Sequence, residues 1–456
     1  MKKIKNIVIT IFMFLILLPL AFFNLEKDFI SKIDNRKLTN FPSLETINTD
    51  TVETFNKYLS DRLGFREEMI TWYSDMHLKM FHTLVHPDYI YGEDDYIFFD
   101  LYQKSYNEHT DKFVQTIQKV AKYVESRGAK FYILINPEKT SVYTDKLPKG
   151  TNYNRLWLDQ VENRLSEANI QWIDNIDILK DKKKTELVYN KQYDVGHWND
   201  NGAFYGTNNL LEWISKDFPK VRPHYKDDFT IGEEFEQYLP TSKIEVNEMV
   251  PLYELKNKDY IDLTEQFDSL VKRDYQQNHF SYIKNESESS NLPNVLVFQG
   301  SYLNGREKFL ADRFNEYVAV HNYENIFDVD YYFNIFQPDI VVFEVAEYTI
   351  HEQYFATEKM DSVHLNPPIN NHVEMIETDK KEVSISEDLI NTIEFQDENK
   401  EIEFAYLKMN DRYYDFNAKE NIFELSLKKE NFELNDAYII YKKVNDSNYY
   451  IFKVSK

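Results

Sequence analysis

Val295-Leu296-Val297-Phe298-Gln299-Gly300-Ser301-Tyr302-Leu303-Asn304-Gly305 is a short apolar run that stops at a glycine turn carrying a serine. A continuous apolar run of this length suits a strand buried on both faces, as in a parallel sheet. Two further stretches have the same character. Phe131-Tyr132-Ile133-Leu134-Ile135 is stopped by Asn136-Pro137, and Ile340-Val341-Val342-Phe343 is entered from Pro338. Helical periodicity lies between such runs. Phe113, Ile117, Val120, Ala121 and Val124 recur on one face, and Gly128 follows as a C-terminal stop. Leu156, Val161 and Leu165 mark a second helix before Trp172-Ile173, and residues 305–317 are expected to form a third. Strand and helix in alternation predict an α/β domain with a mainly parallel sheet.

The pattern changes near residue 370, after Pro367-Pro368 and a polar run at Asp379-Lys380-Lys381. Short alternating segments follow at Ile393–Phe395, Ile402–Leu407, Ile422–Leu427, Ala437–Tyr441 and Tyr449–Val454, which predict a small all-β domain. At the other end, Lys2, Lys3 and Lys5 precede an apolar run from Ile7 to Phe23, broken by Thr10 and Pro19. That is a charged region followed by a hydrophobic one. No good small-residue cleavage site follows, so an uncleaved signal anchor is expected, with the lysines cytoplasmic and the rest outside. The expected divisions are 1–24 as anchor, 25–107 as an entry region packed on the catalytic domain, 108–370 as that domain and 371–456 as the β domain.

Composition narrows the function classes. The chain has 456 residues, 77 acidic against 53 basic, and a formal charge of -24. No Lys/Arg-rich stripe offers a footprint for nucleic acid. There is no cysteine, which excludes disulfides, thiolate metal sites and a cysteine nucleophile. Scattered histidines argue against a metal site, and no cofactor is expected. Aromatic residues reach 16%, with 34 Tyr and 33 Phe, enough to stack on sugars as well as to fill a core. Glycine is rare, 10 in the chain, so its clusters at 196–206 and 300–305 are informative. They mark a positive φ or a close approach of backbone.

The first cluster contains Asp194-Val195-Gly196-His197-Trp198-Asn199-Asp200 and leads into a helix lined by Ala203, Thr207, Leu210, Leu211 and Ile214. An Asp near a His can orient the imidazole and stabilise its protonated form. The same residues also fit a capping loop with a structural His. In the second cluster a serine leaves a buried strand through a tight turn. That can lift the hydroxyl clear of the sheet edge and aim amides at a developing oxyanion; it equally fits an ordinary turn with a serine cap. Glu344 and Glu347 could act as paired carboxylates, although a solvated strand end is the expectation for them.

Taken in order, these pieces resemble the SGNH-hydrolase-like O-acetyltransferases of bacterial polysaccharides, the family of the alginate acetylation proteins, also called DHHW. The resemblance runs over roughly residues 30–350. It includes Asn35-Arg36 with Phe41-Pro42, then Asp61-Arg62-Leu63-Gly64-Phe65-Arg66 and Tyr91-Gly92. Ile135-Asn136-Pro137-Glu138-Lys139, Tyr143 and Leu147-Pro148 follow. The Asp194–Trp198 block, Ser301, and Gln337-Pro338-Asp339-Ile340-Val341 with Glu344 complete it. Two departures stand out. The family's Asp-x-His-Trp is one residue longer here, giving the Asp-x-x-His spacing of ordinary SGNH hydrolases. The family's Gly-Asp-Ser is Gln299-Gly300-Ser301, so the hydrogen bonds of that Asp are missing.

The resemblance implies an SGNH-like three-layer fold and an extracytoplasmic O-acetyltransferase acting on an envelope or exported polysaccharide. It implies Ser301 as nucleophile, His197 as base then acid, and Asp194 as the group that orients His197. Asn136 would take the place of the SGNH asparagine, with Gly300 and Tyr302 on the oxyanion or substrate side. The partners implied are a polysaccharide acceptor and a membrane-bound O-acyltransferase as acyl donor. An esterase on the same triad and a non-catalytic glycan-binding assembly factor are the alternatives.

Overall fold

The structure is a computed structural model. It describes residues 2–27, 29–31, 36–42, 49–81, 89–99, 101, 104–240, 244–272, 279–286, 291–321, 323–369, 374–379, 381–387, 389–410, 412–432 and 436–454. Asn35 and the expected boundary at 370–371 lie outside the described residues.

The three apolar runs singled out in the sequence are neighbouring strands. Ile340–Ala346 lies between Lys130–Asn136 and Val295–Gln299, parallel to both. Gln171–Asp174 extends this sheet on one side. On the other, Glu316–His321 pairs parallel with Val295–Gln299. Two antiparallel strands, Phe280–Asn285 and Tyr260–Asp262, complete a seven-stranded sheet. Alternate side chains of the central strands enter two different cores. Ile133, Phe298 and Phe343 pack on one side with helix α4 (Glu108–Ser126) and the helix Leu156–Glu167. Tyr132, Val297 and Val342 pack on the other with the helix Asp200–Asp217. A strand buried on both faces has no polar side to show, hence the continuous apolar runs. Asn107 starts α4 with a reciprocal cap, accepting from the Thr110 amide at 3.1 Å while Thr110 Oγ1 accepts from the Asn107 amide at 3.0 Å.

Residues 305–317 do not form the expected helix. They make two short 3-10 turns, Glu307–Phe309 and Ala311–Arg313, and then the strand Glu316–His321. The reason is burial: Phe309, Leu310, Ala311 and Phe314 all enter the core. On one α-helix these positions would spread over more than half the circumference. The strands at 229–238, 245–255, 260–262 and 280–285 carry too much polar sequence to read as continuous runs.

Beyond residue 374 the chain forms one five-stranded and one four-stranded sheet around a shared core that includes Ile393, Leu407, Leu425 and Phe452. This strand-rich region is fastened to the α/β domain by buried charge. Arg127 meets Asp415 at 2.7 Å, and Tyr123 donates to the same carboxylate at 2.6 Å.

At the start, helix α1 (Lys2–Ala21) is exposed from Ile4 to Leu17 and half-buried at Leu18 and Pro19, and its Ile4–Ala21 stretch has a mean hydropathy of 2.3, long and apolar enough to cross a membrane. Helices α2 (Thr49–Arg62) and α3 (Arg66–Phe81) follow. The strands Tyr89–Tyr91 and Ile97–Phe99 pair as a hairpin.

Candidate active site

The loop from Tyr193 to Asn199 delivers two of the expected residues. Asn199 caps the helix Asp200–Asp217 by accepting from the Gly202 amide at 3.1 Å. Just before it, Asp194 is held in the left-handed region at φ +50, a conformation that costs energy for a side chain other than glycine. Its Oδ1 accepts from the amides of Gly196 and His197, each at 3.2 Å, and faces His197 Nδ1 at 2.8 Å. The backbone amides fix the carboxylate, and the carboxylate fixes the ring.

Ser301 arrives from the strand Val295–Gln299 through Gly300. Its Oγ lies 2.9 Å from His197 Nε2, although 104 residues separate the two. Asp194, His197 and Ser301 therefore form one hydrogen-bonded chain. Trp198 pins its two halves together, donating from Nε1 to the Tyr302 carbonyl at 2.8 Å. Gly206 of the first cluster makes room for this indole. A Cβ at Gly206 would stand 2.2 Å from Trp198 Cζ3, so close approach, and not φ, demands glycine there.

The electrostatics separate the two titrating groups. Burial pushes the Asp194 carboxyl up, but His197 and the backbone amides outweigh it and leave its pKa below the ordinary carboxylate value. Burial pulls the His197 imidazolium down, but the charge and hydrogen bond of Asp194 outweigh it and leave its pKa above 6.5. The pair is therefore set to accept a proton on His197 while Asp194 stays ionised.

Two tyrosines that sequence reading missed also reach the serine. Tyr348 Oη is 3.0 Å from Ser301 Oγ, and Tyr323 donates to it at 3.4 Å. Burial raises the Tyr348 phenol well above its ordinary pKa, so it stays a neutral donor. Both follow strands of the same sheet, but neither carries a local sequence signal.

The three residues expected on the oxyanion or substrate side are placed otherwise engaged. The Gly300 amide donates to Glu344 Oε2 at 2.5 Å, and Asn136 Nδ2 donates to Glu344 Oε1 at 2.8 Å. Tyr302 is buried, with its hydroxyl on the Pro137 carbonyl at 2.9 Å and its ring edge-on to His197. Asn136 thus supports Glu344 under the serine turn, and is itself held by Asn175 Nδ2 at 2.8 Å. The expectation of a solvated strand end at Glu344 and Glu347 is overturned: both side chains are fully buried. The strand Ile340–Ala346 is central, so its end lies under the loops. Burial raises the Glu344 pKa to about 7, against the opposing pull of Asn136 and Gly300. Glu347 accepts from Ser141 Oγ at 2.6 Å and meets Arg155 Nε at 3.2 Å. Glu344 occupies the place where the Asp of a Gly-Asp-Ser block is lacking, and a Cβ at Gly300 would come 3.1 Å from its Oε2.

No curated protein matches the chain. Among solved structures, Bacillus cereus PatB1 is similar at 16% identity, covering 59% of this chain and 96% of its own, with a TM-score of 0.46. The O-acetyltransferase domain of Pseudomonas putida AlgJ has 16% identity, covers 61% of this chain and 99% of its own, and scores 0.42. A DHHW family protein from Eubacterium siraeum has 16% identity, covers 62% and 98%, and scores 0.46. The family model described as the SGNH hydrolase-like domain of the acetyltransferase AlgX matches residues 90–265, a segment that holds Asp194 and His197 and ends before Ser301. The part of the motif resemblance that falls within residues 90–265 is shown by this match: there the chain is similar to the SGNH hydrolase-like domain of the acetyltransferase AlgX.

Proposed function

We propose that this protein is a membrane-anchored O-acetyltransferase that modifies an extracytoplasmic polysaccharide through an acyl-serine intermediate. The observation that carries the reading is the chain Asp194–His197–Ser301, with contacts of 2.8 and 2.9 Å. Ser301 Oγ attacks the acyl carbonyl while His197 Nε2 takes its proton. The tetrahedral intermediate collapses, the donor's leaving group departs with that proton, and the acetyl group stays on Ser301. A sugar hydroxyl then gives its proton to His197 and attacks the acetyl carbonyl. The serine leaves and recovers the proton, so acetyl ester and nucleophile both balance. Asp194 keeps the imidazole in the required tautomer throughout. Tyr348 and Tyr323 supply neutral hydroxyl donors beside the reacting oxygen.

An anchor at α1 supports an extracytoplasmic site and a donor partner within the membrane, since acetyl groups would have to be supplied there. A carbohydrate esterase is the second reading. His197 is 31% exposed, so water has access to the acyl-serine. Incubation with a chromogenic acetyl ester and then with glycan acceptors separates the two. Acetylated glycan establishes transfer, and release of acetate alone in the presence of acceptor establishes hydrolysis. If Ser301→Ala leaves polymer acetylation in cells unchanged, the mechanism is wrong.

A further inference from the structure

Helix α3 turns an apolar stripe outward. Ser74 is 4% exposed, whereas Met69, Trp72, Tyr73 and Met80 are 46, 68, 46 and 65% exposed. With the half-buried Met76, these positions follow the i, i+3, i+4, i+7, i+11 spacing of one apolar stripe, about 100° wide. Such a stripe ordinarily faces a core. Phe65, directly before the helix, lengthens it at 41% exposed. Helix α2 repeats the feature, with Val52, Phe55 and Leu59 on one face at 53, 38 and 37%.

The turn between α2 and α3 is fastened to the end of α1. Arg62 is 2% exposed and donates from Nη1 to the carbonyls of Asn24 at 3.2 Å and Glu26 at 2.6 Å, and from Nε to Thr39 at 2.8 Å. The Gly64 amide donates to the Pro19 carbonyl at 2.9 Å, and a Cβ at Gly64 would lie 2.5 Å from Phe22 Cβ. The Phe22 and Phe65 rings meet at 4.9 Å. The motif Asp61–Arg66 is thus the joint between the apolar helix and the hairpin.

We propose that the hairpin α2–α3 lies on the surface of the bilayer that α1 crosses, with the Phe65–Met80 stripe in the lipid interface. This rests on reading α1 as a membrane anchor. A 20-residue helix is about 30 Å long, the thickness of the hydrocarbon layer, so its end and the joint sit at the lipid boundary. The stripe begins at that joint. Its Phe, Met, Trp and Tyr side chains are those that settle between acyl chains and headgroups. The remaining faces carry Glu67, Glu68 and Asp75 beside Arg66 and Lys79, without the basic stripe that draws a helix to anionic lipid. Attachment is therefore apolar and indifferent to lipid charge. It gives the catalytic domain a second point of contact and stops it swinging about α1.

The absence of cysteine makes the test direct, because single-cysteine variants need no prior substitution. The full chain is reconstituted in phosphatidylcholine vesicles with an environment-sensitive fluorophore at Met69→Cys, Trp72→Cys or Met80→Cys. Asp75→Cys, about 110° round the helix from the centre of the stripe, serves as the off-stripe control and Leu15→Cys as the anchor control. Lipids bearing a quencher on the acyl chain are then added. The proposal expects blue-shifted emission and loss of most of it at 69, 72 and 80, with little change at 75, and the same result with anionic lipid. A label at 15 that is quenched while 69, 72 and 80 behave like 75 overturns the hairpin proposal and leaves the anchor standing. A label at 15 that is not quenched overturns the anchor reading and this proposal with it. Stripe positions that face water in vesicles but are shielded from thiol reagents in native membranes overturn lipid in favour of a protein partner.

Discussion

Two carboxylates lie at the same end of the sheet and are held in opposite states. Asp194, on a loop, is surrounded by donors and a histidine, and its pKa sits below the ordinary value. Glu344, at the end of the central strand, accepts two hydrogen bonds but is fully buried, and its pKa rises to about 7. Residue type does not decide the difference; the balance of burial against partners does. Asp194 is suited to face a charge that comes and goes on His197. Glu344 is suited to hold still, bracing the Gly300 amide and the Asn136 carboxamide beneath the serine.

The predictions that test this contrast begin at the serine. Ser301→Ala should lower ester turnover by at least ~10³-fold and abolish the one-acetyl gain in intact mass after incubation with a chromogenic ester. An adduct that survives would remove the triad from the comparison altogether. Asp194→Asn should cost on the order of 10³-fold in turnover and move the pH profile. In the native protein the base form of His197 appears as pH rises through a midpoint above 6.5. Without the aspartate charge, burial and the Arg306 charge prevail, and the midpoint should fall; an unmoved profile would separate Asp194 from His197. Tyr348→Phe should lower turnover by about 10²-fold with the midpoint unchanged, since a neutral donor is lost.

Glu344→Gln carries the smallest effect on turnover and the sharpest reading of the contrast. A carboxyl whose folded pKa is raised contributes stability that is full below about 4.5 and is lost as pH rises through about 7. The difference corresponds to about 3 kcal/mol at most. Urea unfolding at pH 5 and pH 8 should show the native protein losing stability relative to Glu344→Gln. Parallel pH dependence of the two would mean that Glu344 is not held as the burial argument requires.

The sequence made the triad and the central strands legible for one reason: each has a local signature. Asp194 and His197 sit three residues apart before a capped helix, and Ser301 follows a run that can only be a buried strand. What escaped lacks such a signature. Tyr323 and Tyr348 reach the serine only because their strands end on either side of the one that leads to Ser301. Glu344 looked like a solvated strand end because nothing in its neighbourhood reveals that its strand lies mid-sheet. The segment 305–317 breaks the expected helix because Phe309, Leu310, Ala311 and Phe314 do not share one helical face, and the core takes all four. Asn136 was placed at the right end of the sheet, yet its carboxamide is turned to Glu344.

The strand Ile340–Ala346 is the last of the five parallel strands in sequence and occupies the middle of those five. It bridges Lys130–Asn136 and Val295–Gln299, which do not touch each other. Contacts of such long range form slowly and late. A chain made from its first residue onward therefore lacks a braced Ser301 turn until roughly three quarters of its length has emerged and this wedge has been inserted. Before that moment the strand bearing Ser301 and the strand leading to Asn136 are unconnected, and Glu344 has not arrived to brace the turn. The order of the strands acts as a timer: the hydrogen-bonded chain at Ser301 is complete only in the finished fold.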